Sequence, residues 1–413
     1  MLPRALVFAT LISCVPPSGP PLPFCGNGVT EGDEVCDGAD VRGACGSVGL
    51  GPGQLRCKVT CDGFDTTACG AIDSGTLLVD AGVPVAGAPD AGTPDAGAPD
   101  AGPSMAITVR AGRLEHEDGR AVDVRGAISC CAGGPYGWPL FNETWMDLTA
   151  AKGVTFLHMR VGPFMTSTAN GETDWAPIGG GYVESGGKAD LTRFNEVFWQ
   201  RVRALIAGAR SRGQYVEVDV IDGWGIKHCR WGDLAGYSAW DSAFNAQAAD
   251  HCATAGSAAV APGSVADQWI RKVVRETGRF DNVLYQDGNE VGLIAGYTTA
   301  WTTSMHDVIR DEEQRQGYAR HLFGTNSGLM ATMQHASVDY GELHQDDSAT
   351  PAQCANKPCL VNEYNPNPTL TPVEFHQRFC AARQQGTAFW YWRHGQSEAD
   401  FRRSLDLMQA GCP

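Results

Sequence analysis

Two glutamates stand where apolar runs turn polar. Glu290 closes Asn282-Val-Leu-Tyr-Gln-Asp-Gly-Asn-Glu290, in which Val283 to Tyr285 reads as a strand ending in a cluster of Gln286, Asp287, Asn289 and Glu290. Glu363 closes a second such run in Cys359-Leu-Val-Asn-Glu-Tyr-Asn365. Two carboxylates on two strand ends can divide the work of breaking a glycosidic bond. One protonates the leaving oxygen and the other attacks the sugar, from about 5–5.5 Å apart when configuration is retained. That division requires surroundings that push the two pKa values apart. Arg160, in His158-Met-Arg-Val-Gly, is the cation that would keep one carboxylate ionised. Taken singly, each glutamate reads as an ordinary surface or capping carboxylate; the ordered pair points to chemistry.

The elements that must position them follow from the apolar pattern. Strands are expected at Val122–Ser129, Val154–Val161, Tyr215–Ile221, Asn282–Tyr285, His321–Thr325, Val338–Leu343, Cys359–Asn362 and Thr387–Trp392. Helices are expected at Leu191–Arg212, with Phe194, Val197, Phe198, Leu205 and Ala209 on one face, at Val265–Thr277 and at Glu398–Ala410. Eight strands alternating with helices over about 300 residues imply an α/β fold, a (β/α)8 TIM barrel with ligand sites at the C-terminal strand ends. A doubly wound open sheet is the alternative, and no Gly-rich phosphate loop supports it. Ahead of the first barrel strand, Ile107-Thr-Val-Arg and Arg113-Leu-Glu-His predict a small hairpin with an Asp118-Gly119 turn.

The order of these motifs resembles that of retaining barrel glycosidases of the clan that includes glycoside hydrolase family 5, the cellulase and mannanase family. The resemblance spans residues 105–413 and is carried by Arg160, Asn289-Glu290, His344, Glu363 and Gly386-Thr-Ala-Phe-Trp-Tyr-Trp392. It implies that Glu290 is the acid/base, Glu363 the nucleophile and Asn289 a ligand of the sugar 2-hydroxyl. It further implies that Arg160 hydrogen-bonds the nucleophile and that Trp392 is the sugar platform, Trp390 being taken as core. His344, Asp222 and Trp224 are the remaining candidate substrate contacts. The sequence departs from the family at two strands. His344 is followed by Gln345 and Asp346 where the family has His-x-Tyr, so the tyrosine at the nucleophile is missing unless Tyr340 or Tyr364 replaces it. The third strand reads Asp219-Val-Ile-Asp222-Gly-Trp224 where the family ends in histidine. Glu217 and Asp219 alternate with valines and are expected to point into the barrel and pair with Arg160 or Arg125.

Composition sets the surroundings. A net charge of −16 makes nucleic acid and anionic membrane surfaces poor partners. Fifteen cysteines imply an oxidising compartment. Leu11-Ile-Ser-Cys14, after Arg4 and a short apolar run, resembles a bacterial lipobox, which implies lipid on Cys14 and leaves fourteen cysteines, an even number. The chain is thus expected to divide into a lipoprotein signal peptide (1–13), a small disulfide-rich module (14–70), a linker (71–104) and the barrel (105–413). The module's Cys25-Gly-Asn-Gly and Gly-Asp-Glu-Val-Cys36-Asp-Gly resemble the cysteine-rich repeat of myxobacterial surface proteins. The linker repeats Pro-Asp-Ala-Gly and is stiff and extended. In the barrel, Cys354–Cys359, Cys229–Cys252 and Cys380–Cys412 are the expected pairs, although spacing alone does not fix connectivity. No metal or other cofactor is expected, because His228, His251 and Cys252 lack a tight ligand spacing. The expectation is an exported monomer, lipid-anchored to the outer membrane or cell surface, with an oligo- or polysaccharide as its partner and membrane contact through its N-terminal lipid only. The alternative is a carbohydrate-binding or adhesion lipoprotein that keeps the barrel without turnover.

Overall fold

The computed structural model describes residues 104–127, 143–163, 180–221, 238–344, 357–363, 371–384, 388–391 and 398–412, a few isolated residues between them, and two short strands further upstream. The chain divides into two units, Met1–Asp95 and Ala96–Pro413. In the first, Arg56–Cys57 pairs antiparallel with Phe64–Asp65. The rest of that unit, with Cys14 and the disulfide framework expected there, lies outside the described residues.

The second unit is built on a closed barrel. Its strands are β1 (Arg125–Ala127), β2 (Phe156–Arg160), β3 (Tyr215–Asp219), β4 (Val283–Gln286), β5 (Phe323–Thr325), β6 (Tyr340–His344), β7 (Cys359–Glu363) and β8 (Ala388–Tyr391). Each pairs in parallel with the next, and β8 closes onto β1. All eight lie where the apolar runs predict them. The helices are α1 (Glu143–Ala151), α2 (Glu196–Ser211), α3 (Val265–Thr277), α4 (Thr299–Gln316), α5 (Met330–Met333), α6 (Pro372–Gln384) and α7 (Glu398–Ala410). Among the described residues no helix is long and apolar enough to cross a membrane.

Strands buried on both faces need two cores. Outward-facing Leu157, Met159, Val216, Val218, Val283 and Tyr285 join the helices in one. Inward-facing Val124, Phe156, Tyr215, Leu284, Leu322, Tyr340 and Leu360 form the other, a plug inside the N-terminal half of the barrel. Phe156 and Tyr215 stack there at 4.7 Å between ring centroids. The hairpin of Ile107–Arg110 and Arg113–His116 covers that end, with Leu114 in the plug and Met105, Ile107, Val109 and Val122 packed against it. Met105 N–H donates to Asp281 Oδ2 (3.0 Å), just ahead of β4.

Three local expectations are corrected. The hairpin turns at Ala111-Gly112, both at positive φ, while Asp118-Gly119 makes a second turn that brings Ala121 back beside Glu115. Lys188–Phe194 is not the start of a helix but a strand, paired with Tyr182–Ser185. Asn195 ends it and caps α2, its side-chain oxygen accepting Phe198 N–H (3.5 Å), so the helix turns a different face inward. Phe198, Trp199, Val202, Ile206 and Ala209 are buried and Val197 is 74% exposed, whereas Phe194 stacks on Tyr182 from its strand. By contrast α3 and α7 begin and end as expected, α3 behind Ser264, whose hydroxyl accepts Asp267 N–H (3.2 Å).

Two of the expected disulfides are present. Cys354–Cys359 closes a loop before β7, and Cys380–Cys412 ties α6 to the chain beyond α7. Cys252 is also disulfide-bonded, while Cys229 lies outside the described residues.

Candidate active site

Inside the barrel the plug gives way, toward the C-terminal strand ends, to polar side chains. Alternation places His158 and Arg160 of β2, Glu217 and Asp219 of β3, Gln286 of β4 and Glu342 of β6 on the inner face. Register aligns His158 with Glu217, and Arg160 with Asp219 and then Gln286. All six are buried.

Their contacts make one network. His158 bridges Glu217 (Nδ1 to Oε2, 3.1 Å) and Asp219 (Nε2 to Oδ2, 2.8 Å). Burial opposes its charge, but the two carboxylates outweigh that and push its pKa up to about 9, so it is an imidazolium at neutral pH. Arg160 Nε lies 3.7 Å from Asp219 Oδ2, which answers the expected pairing. Arg125 does not enter the network and instead pairs with Asp123. Burial and the neighbouring Glu217 charge hold the Glu342 carboxyl well above the usual carboxylate range. Glu342 shares a hydrogen bond with Glu217 and accepts from Gln286 Nε2 and from Asn326 Nδ2 (3.3 Å). Among the described residues the lumen beneath the site thus gathers two basic side chains, His158 and Arg160, with three acidic ones, Glu217, Asp219 and Glu342.

Above this network the candidate residues emerge. Glu290 lies four residues past the end of β4, half-buried, with buried Asn289 before it. Glu363 ends β7 and is the cross-strand partner of His344, at an irregularity in the register after Leu343. The strand ends therefore bring the His344 and Glu363 backbones side by side. Their side chains, and Asp222, Trp224, Tyr364 and Trp392, lie outside the described residues. Tyr340 is not the missing tyrosine: it begins β6, one layer down, with its hydroxyl 2.7 Å from Glu217 Oε1 and 3.0 Å from the Tyr285 carbonyl. Positions two apart on a strand share a face, so alternation does not separate Trp390 from Trp392 as core and site.

The turn that carries Glu290 is held on both sides. Asp287 Oδ2 accepts from Thr302 Oγ1 of α4 (2.6 Å) and Thr325 Oγ1 of β5 (2.6 Å), and its Oδ1 accepts Asn326 N–H (3.1 Å). Burial raises its pKa to about 7, and these hydrogen bonds offset only part of that. Gly288, at φ +147°, lies so close to the Ile221 carbonyl that a Cβ would stand 1.5 Å from its oxygen. Gly292 presses equally on Ser327, where a Cβ would stand 1.8 Å from the carbonyl oxygen. Between them Glu290 itself is left-handed (φ 53°, ψ 32°), an uncommon state for a glutamate.

Sequence reasoning did not assign roles to His158, Gln286, Asp287 or Glu342. A signal existed for His158: it shares parity with Arg160, as Glu217 does with Asp219, so four charged or polar groups had to meet in one lumen.

No family model matches the chain, nor does any curated protein. Solved structures similar to it include a provisionally assigned glycoside hydrolase from Bacteroides vulgatus, at 14% identity and a TM-score of 0.48, covering 73% of this chain and 58% of that one. A family 5 mannosidase from Rhizomucor miehei is similar at 12% identity and 0.44, over 69% of this chain and 84% of that one. An endo-β-1,4-mannanase from Thermotoga petrophila is similar at 12% identity and 0.44, over 71% and 77%. The chain thus spans less than two thirds of the first of these. Strand order, and not these likenesses, establishes the barrel.

Proposed function

We propose that residues 105–413 form a retaining β-glycoside hydrolase in which Glu290 is the acid/base and Glu363 the nucleophile. The observation that carries this reading is positional. Two glutamates stand at the C-terminal ends of β4 and β7 of one closed parallel barrel, where barrel active sites lie, with Asn289 buried directly before Glu290. In this mechanism Glu290 gives its proton to the leaving oxygen while Glu363 attacks the anomeric carbon, and Glu290 then takes a proton from the water that releases the sugar. Arg160, one layer below, would hold Glu363 ionised. The substrate class proposed is an extracellular β-glycan of glucan or mannan type. Cys14 would tether the enzyme to the outer membrane or cell surface; Cys14→Ala should then release it from the membrane fraction, and unchanged fractionation and mature mass would contradict the tether.

The test of mechanism is stereochemical. Product formed early in hydrolysis of an aryl β-glycoside, followed by NMR, should keep the β configuration. An α product would mean single displacement, with water between more widely spaced carboxylates. No turnover of any β-glycoside would favour the non-catalytic carbohydrate-binding reading.

A further inference from the structure

We propose that Asp287 is a positioning residue for Glu290, fixing the left-handed turn that presents the acid over the barrel mouth. This rests on reading Glu290 as the acid/base. Asp287 precedes Glu290 by three residues, and among the described residues its carboxyl hydrogen-bonds away from the mouth. Its carboxyl instead faces outward, into the junction of β4, β5 and α4, where it gathers the hydroxyls of Thr325 and Thr302 and the Asn326 N–H. Tyr297 adds a further hydroxyl to Thr302, and the Asp287 N–H donates to the Gly324 carbonyl (3.1 Å). One side chain therefore staples the end of β4 to its neighbouring strand and to the helix behind it.

The rest of the turn depends on that staple. A non-glycine residue stays left-handed only where its surroundings over-determine it. On one side Gly288 lies flat against the β3 extension, and on the other Gly292 lies against Ser327, beyond β5. Those two contacts are steric and set how closely the backbones approach. Directional hold on the β5 side comes from Asp287. Losing that carboxyl loosens the β5 side of a turn whose other backbone hold is Leu293 N–H on the Glu290 carbonyl (2.9 Å), and a shift of Glu290 from φ 53° toward the ordinary region swings its Cα–Cβ bond away from the present direction.

The test uses the full chain and three variants. Asp287→Ala removes the staple. Asp287→Asn keeps its shape, since the amide oxygen accepts Asn326 N–H and the amide N–H₂ donates to threonine hydroxyls, which rotate to accept. Thr325→Val with Thr302→Val removes two of the hydrogen bonds and serves if the alanine variant does not fold. A lost general acid costs roughly 10²–10⁴-fold, and a misaimed one costs part of that. Asp287→Ala should lower kcat/KM, which reads the glycosylation step, roughly 10–100-fold on a phenyl β-glycoside, whose leaving group needs the proton. For a dinitrophenyl β-glycoside kcat/KM should change less than about 3-fold, because it departs unprotonated, while its kcat falls with the base that the second step needs. Asp287→Asn should restore most of the loss. Equal losses on both substrates, or an asparagine variant as poor as the alanine one, would overturn the proposal. Two readouts separate it from the enzyme reading: the carboxyl ¹³C titration of Glu290 and amide exchange over residues 288–292. Both should change in Asp287→Ala. If they change while the wild type cleaves no β-glycoside, the positioning stands and the hydrolase reading falls; if neither changes, the positioning falls whatever the activity.

Discussion

At the scale of residues, the proposed mechanism requires the two glutamates to fail in different ways. Glu363→Ala removes the attacking group, so hydrolysis of every substrate collapses, and azide in the vacated space should give product of inverted configuration. Glu290→Ala removes the proton donor. Cleavage of natural glycan should fall by about 10²–10⁴-fold, while glycosylation by a dinitrophenyl glycoside survives and azide yields product of retained configuration. Equal, leaving-group-independent losses in the two variants would mean that the roles are misassigned. These residues were legible because each ends an apolar run and Asn289 stands beside Glu290. His158 and Glu342 were not singled out, although strand alternation puts them in the lumen with Arg160, Glu217 and Asp219. Asp287 is a different case. Its partners Thr302 and Thr325 come from α4 and β5, and no pattern within its own segment reveals that junction.

At the scale of elements, boundaries were legible where one residue both stops a pattern and caps the next. Ser264 does this for α3, and the polar cluster after Tyr285 does it for β4. They were misread where two patterns overlap. Leu191 to Ala209 can be threaded on a helical face, yet Lys188–Phe194 pairs as a strand and Asn195 begins the helix. The hairpin turn was missed because Ala111 takes a left-handed conformation without the glycine or asparagine that signals one. The turn over Asp287–Gly292 belongs with these cases. Its glycines are visible in the sequence, but the carbonyls they approach, Ile221 and Ser327, come from neighbouring strands' extensions.

At the scale of the whole barrel, buried ionisable groups tie stability to pH. His158 is held near 9, above the roughly 6.5 of an unfolded histidine, so its contribution is full below about 6.5 and is lost as pH rises through about 9. Asp287, raised to about 7, resists ionising in the fold, and stability falls as pH climbs from about 4 to about 7. Carboxylates held low, such as Asp281 and Glu313, act in the opposite sense and lose their contribution only as the solution turns acid. The melting temperature should therefore peak on the acid side of neutrality. For His158 the difference is on the order of 3 kcal/mol, or roughly 5–10 °C between pH 6 and pH 9.5. His158→Gln should flatten that alkaline slope. Equal melting temperatures of the wild type at both pH values would show that no imidazolium supports the fold.

The hairpin under the barrel has a consequence of another kind. Because residues 105–116 cap the N-terminal ends of the strands, the polypeptide enters the barrel at the pole opposite Glu290. A bead, an electrode or a fusion partner attached ahead of Ser104 would grip the barrel by its base. Oriented immobilisation is thus available without redesign, with the C-terminal strand ends turned toward the bulk liquid.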